Sequence, residues 1–335
     1  MNIRTAALMR GAVAMLALGL ATTACGVSAD PTPGTTTAAG PLTGLKVMVP
    51  NSPGSGYDTT ARAASKALED AGLAKSIEVF NVAGAGGTVG LQKLVNEKSS
   101  DKVLMQMGLG VVGAVYTNKS QATLTDTTPI ARLIAEAEAI VVPKNSPYKS
   151  VQELALAWKA DPGKVPVGGA SAPGGPDHLT PMLLAKAAGI APKDVNYVAY
   201  DGGGELLAAI LGGKVAFAAT GVGEVREQAK AGELKILAVT SAERVKDVDA
   251  PTLKELGLDM VFTNWRGIVA GPGISDAQTK EYVDLLTRLH DTQEWKDTLT
   301  AKGWTDAFLA GDEFAAFVQN ETTRVAGVLS DLGLT

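Results

Sequence analysis

The sequence predicts an α/β fold built on mostly parallel sheet. Three observations carry that expectation. From Leu45 onward, short apolar runs alternate with amphipathic stretches of helical period. Five of those runs end in glycine-rich turns that lead straight into a helix. The 335 residues, 46% of them hydrophobic, exceed what one small core needs, so one large or two mid-sized domains are expected.

The first 25 residues read as an export signal rather than as fold. Arg4 and Arg10 supply a positive start, and residues 11–21 form an apolar stretch too short to span a bilayer. Thr22-Thr23-Ala24-Cys25-Gly26 then places small residues before a cysteine, a pattern that resembles a bacterial lipobox. Cys25, the chain's one cysteine, is therefore the expected lipidation site. Cleavage there leaves 28 basic against 35 acidic residues, a charge of −7. Residues 26–43 lack an apolar period and read as a flexible tether.

Strands are expected at 45–50, 76–82, 102–107, 139–143, 164–168, 195–199, 215–220, 235–240 and 261–269. Ser150 with Glu153 opens a helix over 151–160 whose apolar face is Val151, Leu154, Ala155 and Trp158. Ser275 with Gln278 opens another over 276–290, buried through Tyr282, Leu285, Leu286 and Leu289. Asp201 precedes a third containing Leu206, Leu207, Ile210 and Leu211, which Gly212-Gly213 ends.

The turns carry the chemistry. Strand 45–50 runs into Ser52, Gly54, Ser55, Gly56, Tyr57 and Asp58, followed by a helix from Thr59. Strand 76–82 runs into Gly84-Ala85-Gly86-Gly87. Strand 164–168 runs into Ser171, Gly174, Gly175 and Asp177, strand 195–199 into Tyr200-Asp201-Gly202, and strand 215–220 into Gly221. Glycine at such turns brings bare backbone N–H groups to a ligand, and each helix N-terminus adds roughly half a positive charge. Ligands of open α/β sheets sit beyond the carboxyl ends of the strands, so the turns suit an anion without many basic side chains. The same turns would also serve tight packing alone. Gly108, closing strand 102–107, belongs to the same end of the sheet.

Composition excludes several alternatives. A net charge of −5 argues against a nucleic-acid binder, and 5% aromatics against stacking platforms for bases or sugars. One Cys and two His cannot build a structural zinc site or a disulfide framework, and no metal or cofactor is expected. Carboxylate-rich Mg²⁺ or Ca²⁺ sites alone survive that count. Gly54-x-Gly56 lacks its third glycine at Thr59, and Gly84, Gly86, Gly90 is one residue too long for a dinucleotide fingerprint. Ser171 is followed by Ala172-Pro173, so no nucleophile elbow forms, and Ser146-x-x-Lys149 has no companion motif. His290 ends a helix, where a cation suits the dipole, and His178 is expected to support a loop rather than to react.

Taken in order, 50–62, 81–90, 168–179, 200–215, 236–244, 249–257 and 264–275 resemble one family, the extracytoplasmic solute receptors of tripartite tricarboxylate transporters (the TctC/Bug group). The resemblance covers 44–335. It implies a type II periplasmic-binding-protein fold: two α/β domains, joined by a two-strand hinge, closing an inter-domain cleft over a small organic acid. The expected boundaries are 44–141 plus 264–335 for the first domain and 142–263 for the second. It also implies two membrane partners, one large permease and one small subunit, and a monomeric, lipid-anchored receptor outside the cytoplasm. Position by position, Gly54 to Asp58 fills the family's first carboxylate loop, with Ser55 where glycine is common. Gly175 stands where the second loop usually has serine, and Asp201 where lysine is frequent. Asp177 is expected as a helix N-cap and Asp58 as a ligand or water contact. A tricarboxylate needs a cation as well, and Arg132 and Arg266 are the candidates.

Two functions follow. The first is a receptor that captures a di- or tricarboxylate, citrate-like, without transforming it. The second is an exported α/β hydrolase or transferase acting on a small organic acid; the missing nucleophile–base pair weighs against it. A receptor feeding a sensor kinase instead of a permease would use the same binding physics.

Overall fold

In the computed structural model the described residues are 40–97 and 102–335. The signal segment, Cys25 and most of the tether lie outside them. The tether's end is tied down: β1 (Leu42–Thr43) pairs in parallel with β3 (Ala74–Lys75), so that part is not free chain.

The first half of the chain builds β2 (Lys46–Val49), α1 (Gly56–Asp70), β4 (Glu78–Asn81), α2 (Thr88–Asn96), β5 (Val103–Gly108) and α3 (Leu109–Thr117). There follows β6 (Thr128–Pro143), 16 residues long. The second half adds α4 (Val151–Ala160), β7 (Val167–Gly169), α5 (Pro176–Ala187), β8 (Tyr197–Ala199), α6 (Gly203–Leu211), β9 (Phe217–Gly221), α7 (Val222–Lys230) and β10 (Leu234–Val239). The chain returns through β11 (Thr263–Ala270), α8 (Asp276–Asp291), α9 (Gln293–Lys302), β12 (Thr305–Ala310) and α10 (Gly311–Asp331).

One mixed sheet runs β4-β2-β5-β11-β6-β9-β7-β8, with β10 and β12 also paired to β6. The expectation of mostly parallel sheet holds only in the wings, β4-β2-β5 and β9-β7-β8. The centre is antiparallel because β6 leaves the first half and β11 returns to it in the opposite direction. Along β6 the partner changes from β11, up to Ala137, to β9 and β10 from Glu138 onward.

The expected strand at 139–143 is thus the tail of β6. Its first part was hidden because Arg132, Glu136 and Glu138 interrupt the apolar run. α3 (LGVVGAVYT) is apolar on nearly every side and buried, so it carries no amphipathic period. α1 begins at Gly56 rather than Thr59, because the Ser55 hydroxyl accepts from Asp58 N–H and caps three residues earlier. Ser150 and Ser275 cap α4 and α8 as expected, with a full capping box at the second.

Candidate functional site

A small cavity, about 50 Å³, opens where the wings' helices begin. Its wall takes residues from the first turns of α1 (Gly56, Tyr57), α3 (Gly110), α5 (Pro176, Asp177), α6 (Gly203) and α7 (Glu224). Strand–turn–helix connections at the carboxyl ends of β2, β5, β7, β8 and β9 bring these N-termini together. An adjoining cavity of about 240 Å³ shares Asn51, Gly86, Ala170 and Ala172 with the first.

The first loop is braced from within. Asp58 is 4% exposed, and its carboxylate accepts from Gly54 N–H (2.9 Å), Asn81 Nδ2 (2.9 Å) and Arg62 Nε. Burial alone would raise its pKa, but these donors outweigh burial and hold it below the ordinary range. The carboxylate expected to meet the ligand is therefore spent on shaping the loop that does. Tyr57 accepts from Val111 N–H through its hydroxyl (3.3 Å), tying α1 to α3, and burial pushes that phenol up to about 12.

The second loop follows the same logic. Asp177 accepts from Ala170 N–H (2.7 Å) and from the Ser171 hydroxyl (2.8 Å). It is not the N-cap of α5, which is Gly175; Pro176 occupies the first helical position and Asp177 reaches back across the turn. Tyr197 donates to Ser171 O (2.7 Å) and stands edge-on to His178. His178 Nδ1 accepts from Gly174 N–H (3.1 Å), which requires the neutral ring, and burial depresses its pKa to about 4. Gly174 adopts φ +88° and lies directly against Gly113 of α3, where any side chain would strike the Gly174 carbonyl. Thr117 also donates to Pro173 O (2.9 Å), so the halves touch across the cleft.

The floor comes from the central strands. Asn264 pairs with Glu136 across β11 and β6, and the two-residue period puts Arg266 and Glu138 on that same face. Arg266 is 3% exposed; its Nη2 meets Glu136 Oε2 at 2.8 Å and its Nη1 donates to Thr60 Oγ1. Glu136 Oε1 accepts from Gly223 N–H (2.7 Å) in the first turn of α7. That N-terminus is thus occupied by the protein's own carboxylate, which lies beside Gly221. Glu138 is buried with neither carboxylate oxygen hydrogen-bonded. Burial, reinforced by Asp177, Glu136 and Glu224, raises it well above the carboxylate range. Burial likewise pushes Glu224 up to about 8.

Of the residues singled out from sequence, Ser55, Gly56, Tyr57, Gly86, Ser171, Gly175, Asp177 and Arg266 line the cavity. Ser52, Tyr200 and Asp201 line its neighbour. Gly54, Asp58, Gly108, Gly174 and Gly221 do not line it. Gly54 donates to Asp58, and Gly108 packs against Trp265 O. Arg132 is removed from the cleft, its guanidinium over the Phe317 ring (4.3 Å) and its Nε donating to Ala307 O. Sequence reasoning left Asn51, Gly203 and Glu224 unassigned within the turns that end strands 45–50, 195–199 and 215–220, and missed Gly110, Asn264 and the pair Glu136 and Glu138. The pair left a signal: two acids two residues apart inside an otherwise apolar run.

Residues 60–334 match the tripartite tricarboxylate transporter family receptor. The chain belongs to that family. The receptor is 27% identical over 306 residues to Protein BugT of Bordetella pertussis, covering 88% of this chain and 90% of that one. Among solved structures it superposes on MatC of Rhodopseudomonas palustris with bound malate (24% identity, 86% and 99% coverage, TM-score 0.75). It also superposes on an R. palustris protein with adipate (20% identity, 88% and 98% coverage, TM-score 0.79). The fold is the type II periplasmic-binding-protein fold, two α/β layers curling about one cleft. Its family places the receptor outside the cytoplasm, in the context of a tripartite transporter. No helix among the described residues is long and apolar enough to cross a membrane.

Proposed function

We propose that this receptor captures a small di- or tricarboxylate, up to citrate in size, between its two halves and delivers it unchanged to a large and a small membrane subunit. One observation carries the reading: the first turns of α1, α3, α5 and α6 converge on a single cavity whose floor holds Arg266. Free N–H groups of first turns are donors without helical acceptors, and the helix dipoles favour an anion there. Malate and adipate in the superposed proteins support an acid of this class.

Hydrogen bonds to a charged group contribute about 1.5–3 kcal/mol each, so four to six of them, less the cost of closure, reach the roughly 8 kcal/mol of a micromolar complex. A cavity of about 50 Å³ holds a few waters, so entry of an acid requires the halves to part and reclose. We place the hinge where β6 changes partner, near Ala137 and Glu138, and where the chain returns before β11. The halves would then be 44–141 plus 264–335 and 142–263. In the same reading Cys25 carries the lipid, residues 26–43 tether a monomer to the membrane, and the site needs no metal or cofactor.

The test is a melting series on the mature chain, stripped of co-purifying ligand by unfolding and refolding. An acid at 100 times its Kd adds about 2.7 kcal/mol of stability and a rise of several degrees. No shift with any of a broad panel of millimolar carboxylates would contradict the proposal, as would turnover of the acid during incubation.

A further inference from the structure

We propose that the open edge of β10 is a docking groove for an extended, acidic peptide segment of a partner protein, which adds to the sheet there as a further strand. The groove shares no lining residue with the cleft cavity, so the proposal is independent of which acid the cleft takes.

Beside β10 lies a cavity of about 650 Å³, lined by four consecutive residues of that strand, Leu234 to Leu237. Side chains of a strand alternate between its two faces, so four in a row border one cavity only where the strand is met edge-on. β10 pairs with β6 along one edge. On the other edge Val239 is already taken: it donates to Pro251 O (2.9 Å) and accepts from Leu253 N–H (3.0 Å). Before Val239, no strand or bridge among the described residues pairs with that edge. The helices set the width of the gap. Val151, Leu154 and Trp158 of α4 cluster with Ile140 and Val142 on one face of β6, while Val222 and Val225 of α7 cluster with Ala139 and Val141 on the other. Both helices border the cavity, α4 through Val151 and Gln152, α7 through Ala229 and Lys230. The layer between them therefore has room for one more strand.

Charge selects the occupant. Lys144, Lys149 and Lys235 are exposed along the groove, and among the described residues none of them forms a salt bridge. Lys230 adds a fourth ammonium, paired with Glu227 at 3.2 Å. Arg226 joins the wall; it is 6% exposed, and its Nε and Nη1 have no hydrogen-bond partner. Against these cations stand two acids, Asp247 and Asp249, in a chain whose net charge is −5. A positive groove on an acidic protein draws in acidic segments and turns basic ones away. Lysine on a sheet edge, here with the bulge between Ile236 and Ala238, also keeps uncharged strands from adding. An acidic strand neutralises those lysines while its N–H and C=O groups pair with those of β10.

Calorimetry on the full mature chain tests this with acetyl-Glu-Val-Glu-Val-Glu-amide, its lysine counterpart, and two N-methylated forms of the acidic peptide, one blocked at the glutamates and one at the valines. The acidic peptide should bind at least tenfold tighter than the basic one. Successive N–H groups of a strand point to opposite edges, so one methylated form should lose at least tenfold while the other stays within about threefold of the parent. Lys144→Glu combined with Lys235→Glu, whose fold is checked by its melting curve, should weaken the acidic peptide at least fivefold. On the unaltered chain, bound peptide should slow hydrogen exchange at Leu234 to Leu237, a readout that needs no variant. No binding at millimolar peptide, equal affinity for acidic and basic peptides, or protection at a different sheet edge would overturn the proposal. So would full affinity in both methylated forms, which would leave charge attraction without strand pairing.

Discussion

Arg266→Met isolates the pairing that holds the cleft floor. The guanidinium and the Glu136 carboxylate are 3% and 1% exposed, with 2.8 Å between nitrogen and oxygen. Removing one partner of such a pair strands a buried charge and destabilises by about 3–5 kcal/mol. Gly223 N–H still reaches Glu136 and Thr60 keeps its bond to Gly56 O, whereas Glu224, 3.9 Å from the guanidinium, loses that cation too. At roughly 2–4 °C per kcal/mol for a domain of this order, the melting temperature should fall by about 6–20 °C. Urea unfolding followed by circular dichroism gives the free energy directly. Adding Glu136→Gln removes the stranded charge and should recover at least half the loss, while acid binding stays at least tenfold weaker in both variants. A single variant within about 1 kcal/mol of the wild type, or a double variant less stable than the single, would refute the argument that this pair is a buried, mutually dependent unit.

Three further outcomes follow from the geometry. His178 is neutral in the fold with its pKa near 4, whereas the unfolded chain protonates near 6.5; its contribution is complete above 6.5 and is lost as pH falls toward 4. His178→Gln should flatten that acid limb by at most about 3 kcal/mol in unfolding titrations, and parallel profiles would exclude the histidine as its cause. Gly113→Ala places a methyl against the Gly174 carbonyl. It should therefore hold the halves apart, weaken acid binding at least tenfold by calorimetry and enlarge the acid-bound particle in X-ray scattering; wild-type affinity would show that the contact does not belong to closure. Cys25→Ser should shift the protein from the membrane to the soluble fraction on export, and continued retention would argue against the lipid anchor.

The glycine turns were legible because their task is local: a strand must end, a helix must begin, and backbone must approach closely. Eight residues picked from those turns or from the family resemblance do line the cavity. The carboxylates were misread for the opposite reason. Asp58 and Asp177 stand next to the cleft in sequence, yet their partners are loop N–H groups whose positions depend on the folded turn. Arg266 was a candidate cation from sequence, but its floor partners were illegible because they are set by register between β6 and β11, strands separated by over a hundred residues. Only that register sets Asn264 against Glu136 and brings Arg266 to the same face. The antiparallel centre of the sheet escaped notice too, since charges inside β6 concealed a strand that belongs to both halves.

The most direct test is a crystal structure of the receptor grown with the acid that gives the largest thermal shift. The account expects one carboxylate group enclosed in the cleft, accepting from N–H groups in the first turns of α1 and its neighbouring helices, above the Arg266 floor. An acid bound elsewhere on the molecule, with this cavity closed and holding only water, would contradict it.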